Sequence, residues 1–165
     1  MHDAMRPMLV EVAPDVRHLL HDADFADAFA FVVDDPTLDA ITAAERAIAN
    51  PPSWVSSLMA LRDLIVTPLG LRTRFDPALT QTVRVGAFPV LSKSPERVVL
   101  GFDDKHLDFR VAIDVAAVDE QRRRATVTTL VRTHNWLGRT YLTLIMPFHQ
   151  RVVPGMMMQI ERKVA

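Results

Sequence analysis

The chain is 165 residues long, 49% apolar and 24% charged, with a formal net charge of −1. That composition fits one globular domain and excludes wholesale disorder. The absence of cysteine excludes a disulfide framework and a thiolate metal site, and the balanced charge lacks the basic footprint of a nucleic-acid binder.

Residues 1–22 are expected to form an irregular N-terminal extension. Pro7 and Pro14 punctuate it, and Asp15 is placed to cap a short helical turn through Leu20. No signal peptide is read here, and no apolar run approaches the roughly 20 residues of a membrane helix. A cytoplasmic protein with no membrane partner is therefore expected. Residues 23–165 read as a single domain.

"DFADAFAFVV" sets Phe25, Asp27, Phe29, Phe31 and Val33 on one parity, which is the alternation of a strand. Its alanines keep a helix open as the alternative. "DDPTLDAITAAERAIAN" then reads as a helix, with Asp35 as N-cap, Pro36 in the first turn and Pro51–Pro52 as the stop. "SWVSSLMALRDLIVTPLG" gives a second helix, with Trp54, Leu58, Leu61, Ile65 and Leu69 on one face. Four strand-like runs follow: "VRVGAFPVL", "ERVVLGF", "HLDFRVAIDVA" and "RATVTTLVRT". Their short links favour antiparallel hairpins. The final stretch, from Trp136 onward, reads as a long helix with Leu137, Tyr141, Leu144, Ile145, Phe148 and Val152 in one stripe. Pro147 and Pro154 are expected to kink or break it.

The expected class is α+β: an antiparallel sheet whose apolar face is covered by the last helix, with two helices inserted after the first strand. Charge is uneven along the chain. Residues 1–50 hold ten acidic against three basic side chains, and residues 121–165 hold one against eight. Either the two ends neutralise one another in the fold, or the second is a basic surface for an acidic partner.

The row His106, Asp108, Arg110 invites a catalytic reading. A hairpin turning near Asp119–Gln121 would set Asp108 beside Arg132, and such cross-strand pairs explain the row as the wet, convex side of a strand. Residues that break the apolar pattern are better candidates. Asp27 shares the parity of the phenylalanines and needs a partner if that face is inward. Arg62 edges the apolar face of the second helix, from which it could reach a buried carboxylate. His149 flanks the stripe of the last helix, and Tyr141 lies within it. These four are the expected polar groups of a mostly apolar cavity. Within "THNWLGR", Asn135 is a cap. His134 and Arg139 are secondary candidates for an anionic ligand group at the helix entrance. No phosphate-cradling loop, dinucleotide fingerprint, serine elbow or zinc spacing is present, so no cofactor and no metal are expected.

The stretches "ADFADAF", "PSWVSSLMALRD", "GLR", "GAFPVL", "VVLGFDDKHLDFRV", "HNWLGR" and "MPFHQRVV" together resemble an uncharacterised bacterial domain-of-unknown-function family, catalogued as 2867. The element order resembles the helix-grip fold of the START and polyketide-cyclase-like superfamily. There a curved antiparallel sheet wraps a long C-terminal helix, often around a cavity. The resemblance implies that fold and a possible ligand cavity, but no reaction. Three functions stay open. The first expectation is a domain that binds a small hydrophobic molecule and does no chemistry. The second is a filled-core protein acting through its surface or as an oligomer, though nothing in the sequence indicates an oligomer. The third is a cyclase- or dehydratase-like enzyme with His149 or Asp27 as base and Arg62 steadying an oxyanion.

Overall fold

The structure, a computed structural model, describes residues 6–69 and 83–161. The side chains of Ile65 and Leu69, two members of the expected stripe, and the "GLR" stretch lie outside the described residues. The seven strands are β1 (Met8–Val10), β2 (Phe25–Val33), β3 (Arg84–Val85), β4 (Phe88–Lys93), β5 (Arg97–Asp103), β6 (Leu107–Ala117) and β7 (Arg123–Thr133). They form one antiparallel sheet in the order β1-β2-β7-β6-β5-β4-β3. The helices are α1 (Pro14–Arg17), α2 (Ala40–Ala44), α3 (Ser53–Val66) and α4 (Trp136–Met157); a π-helical turn, Glu45–Ala49, extends α2.

Alternation decides the faces. Phe29, Phe31, Ile113, Val127, Val98 and Leu100 point to one side and are buried. Burying such side chains contributes roughly 1.5–3 kcal/mol each. Helix α2 and its extension lie over this inner face through Ala40, Ala43, Ala44 and Ala47, all 0–3% exposed. Alanine at i, i+3, i+4 and i+7 makes a smooth helical face that approaches a sheet closely. The cap of α2 is Asp39, whose carboxylate accepts from the Thr42 backbone N–H at 2.8 Å. Asp35, the expected cap, instead accepts from Thr37 and Arg46. Its carboxylate is already engaged, so the helix starts four residues later than its sequence signals suggest.

The N-terminal residues are more ordered than expected. Strand β1 adds to the edge of β2, and Val12, Val16 and Leu20 are buried; Val12 and Leu20 pack with Ala28 and Leu130 on the outer face of the sheet. The expected wet row on β6 is therefore partly dry. Asp108 is 3% exposed and Ala112 1%. Alanines, valine and leucine on that face need cover, and residues 11–20 supply it. The two oppositely charged ends do meet: β2 lies beside β7 throughout its length, and Asp24 accepts from the backbone N–H and hydroxyl of Thr133.

Helix α4 runs through Pro147 and Pro154 without interruption. It is held at both ends. Near its start, Asn135 caps it by accepting from the Gly138 N–H and also donates to His106 Nδ1 at 2.9 Å. At its end, Met157 is in the core. Those attachments hold it in one piece despite two missing donors. Gly86, at φ +56°, lets "VRVGAFPVL" fold back on itself, so one expected strand is the hairpin of β3 and β4.

Candidate functional site

Both α3 and α4 turn polar groups inward and leucines outward. On α3 the inward residues include Arg62 and Asp63, with side chains 14% and 10% exposed. Leu61 and Leu64 are 53% and 74% exposed. On α4 the half-buried side includes Tyr141, Ile145, His149 and Val153, while Leu144 and Phe148 face solvent. The expected stripe is thus rotated on α3, whereas on α4 Leu137, Tyr141, Ile145 and Val152 are half-buried as expected and only Leu144 and Phe148 turn to solvent. Trp54, expected inward, is 45% exposed.

The inward groups meet specific partners. His149 Nε2 lies 3.1 Å from Asp27 Oδ1, with side-chain exposures of 12% and 11%. The Phe25 ring meets the imidazole edge-on at 5.6 Å. A carboxylate only accepts, so Nε2 is the nitrogen that donates in this contact, and Nδ1 is left for other partners. Arg62 Nε donates to the Tyr141 hydroxyl at 2.6 Å, and its guanidinium carbon lies 5.4 Å from the ring centroid. With the phenol oxygen accepting, its own proton is left to donate elsewhere. Arg62 also pairs with Asp63 at 2.6 Å. Sequence reasoning anticipated an arginine on the Asp27 carboxylate; histidine takes that place instead. Asp63 was missed, because on α3 it reads as an ordinary solvent-facing acid.

The two pairs sit on one helix, eight residues and hence about 12 Å apart. Between Gly138 and Met157, no α4 residue is fully buried. The inner face of the sheet carries a second aromatic group. Phe109 stands 5.5 Å from Phe88 and 5.7 Å from Phe102, and all three are only half-buried. The inner face thus has a fully buried part under α2 and a half-buried aromatic part around Phe109. A cleft lies elsewhere, on the outer face beside β1.

The secondary candidates are engaged separately. His134 Nε2 lies 2.9 Å from one oxygen of Asp108, and Arg132 Nη2 lies 2.6 Å from the other. Arg139 is exposed and lends its charge to Asp24. The Asp108–Arg132 pair is the one anticipated from the hairpin register. Burial alone would raise the Asp108 carboxyl, but hydrogen bonds from His134 and Arg132 outweigh it and hold the group below its ordinary value. A depressed carboxylate contributes stability that is fully present above the unfolded value near 4 and is lost as pH falls through the lower folded value. Asp108→Asn should therefore cost about 1 kcal/mol at neutral pH, the low end of the range because both partners are about a third exposed and re-solvate. It should also flatten the acid limb of a urea-stability profile below pH 4. An unchanged limb would mean that another carboxylate governs acid unfolding.

The model of the family described as a protein of unknown function (DUF2867) matches residues 19–156. No curated protein matches the chain.

Proposed function

The chain belongs to the DUF2867 family of proteins of unknown function, and since membership carries no activity with it, we propose a function from the site itself: binding of a small, largely hydrophobic molecule between α4 and the aromatic part of the sheet. On this reading the architecture is of the helix-grip type, with the helix as one wall of the site. One observation carries the proposal. Asp27, His149, Arg62 and Asp63 are turned inward at one seam while leucines on the same helices face water. Burying such groups is unfavourable, so local rules broken together mark a place where function outweighs stability. A few convergent polar groups among apolar walls is how ligand sites are usually built. The Tyr141 proton and His149 Nδ1 would orient the one polar end of the ligand. With no helix among the described residues long and apolar enough to cross a membrane, and with no cysteine, a cytoplasmic role fits this reading.

The Asp27–His149 contact also favours a second reading, an acid–base enzyme in the same place. A carboxylate fixing one imidazole nitrogen leaves the other as a base. Substrate within hydrogen-bond reach of His149 Nδ1 would distinguish the two.

Anilinonaphthalenesulfonate fluorescence tests the binding reading. The native protein should bind the dye, and Ile145→Trp should abolish binding without lowering Tm, because a larger ring on the inward side of α4 fills the gap. Leu144→Ser, one residue away but facing solvent, should leave dye binding intact. If Leu144→Ser removes the signal and Ile145→Trp does not, the dye reads the outer apolar surface and the proposed site is wrong.

A further inference from the structure

We propose a second site, independent of the first: the cleft on the outer face of the sheet, between β1 and β7, binds a small anionic amphiphile by its carboxylate. The cleft has a volume of about 640 Å³, within the ordinary range for small-molecule sites. Strand register lays out its floor. Met8 pairs with Ala30, Ala30 with Thr126 and Thr126 with Asp114, which pairs with Arg97. One row along, Val10, Ala28, Thr128 and Ala112 align in the same way. One row back, Val32 pairs with Arg124. Arg6, two residues before β1, lines the same cleft together with Val32 and Arg124.

Two arginines, Arg6 and Arg124, thus line one cleft. Neither has an acidic partner among the described residues, whereas Arg97 is neutralised by Asp15 and Asp114. Glu11, on the β1 side, is the one lining acid outside an ion pair. The unpaired lining charge is positive, and paired arginines match a carboxylate geometrically as well as electrostatically. The floor of the cleft is alanine and threonine, too short to fill the space above it. Thr128 is 1% exposed yet lines the cleft, and no hydrogen bond among the described residues uses its hydroxyl. Val16 closes the far end. From the row of Arg124 to that of Thr128 is four residues of strand, about 13 Å, room for a chain of roughly eight carbons and its carboxylate.

The test is an NMR titration of the full chain with octanoate, with octylammonium as the same tail carrying the opposite charge. Octanoate should shift the amides of Ala30, Val32, Thr126 and Thr128, and octylammonium should not. Arg124→Met, at an exposed position that does not threaten folding, should weaken octanoate at least about tenfold; Val32→Trp should block it. Equal binding of the two amphiphiles, shifts confined to α3 and α4, or an unchanged affinity in Arg124→Met would each overturn the proposal. Shifts at α3 and α4 would instead belong to the first site, so the two readings fail separately.

Discussion

Gly138→Ala is expected to lower stability by at least about 3 kcal/mol, the upper end of overpacking costs. For a chain of this size that is a fall in Tm of roughly 6–12 °C. A Cβ at this position would overlap the carbonyl oxygen of His106. That carbonyl cannot swing away, because it accepts from the His134 backbone N–H at 2.9 Å. The glycine is therefore where α4 is pressed against the hairpin between β5 and β6, and backbone meets backbone with no flexible side chain to yield. Gly155→Ala is the internal control. Its new methyl would meet the Trp54 ring, but that ring is 45% exposed and can turn outward, and alanine gains about 1 kcal/mol of helix propensity. Thermal unfolding should find Gly155→Ala close to neutral. Equal effects at the two positions would mean that α4 does not dock on the hairpin.

The second large effect is a coupling. Asp27→Ala and His149→Ala should each cost about 1–3 kcal/mol, since each strands a nine-tenths-buried polar partner. Together they should cost less than their sum, by about 1–2 kcal/mol, because the partner stranded by one change is removed by the other. Asp27→Ala with Arg62→Met should add within about 0.5 kcal/mol, since the Asp27 carboxylate is on His149 and not on Arg62. Urea denaturation of the five variants measures both couplings. The opposite order, with Asp27 coupled to Arg62 and indifferent to His149, would overturn the site geometry.

Much of this arrangement is legible from the amino acids. Period-two alternation finds β2 despite its alanines, and the β6–β7 register follows from where the turn must fall, which in turn places Asp108 beside Arg132. Asp27 stands out because it shares a parity with phenylalanines. His149 stands out too, at the flank of the last helix's stripe, but nothing in the sequence pairs it with Asp27. Periodicity assigns Phe148 and Leu144 inward, and only the three-dimensional structure turns His149 to the Asp27 carboxylate while those two face solvent. The same holds for Asp63, which a helical wheel cannot distinguish from a surface acid. Strand β1 is hidden for another reason: three residues between prolines are too short for any pattern to register, and their pairing is set by β2 alone. Asp35 and Asp39 are equally good caps in sequence. The choice between them is made by Arg46, eleven residues later, which draws the Asp35 carboxylate away.

The proposed binding function requires a gap under α4 that a ligand fills. Native mass spectrometry of freshly purified protein, alongside Ile145→Trp prepared identically, examines that most directly. The expected result is a small-molecule adduct on the native chain that is absent from the variant. Two bare polypeptide masses, repeated across preparations from different growth conditions, would contradict it.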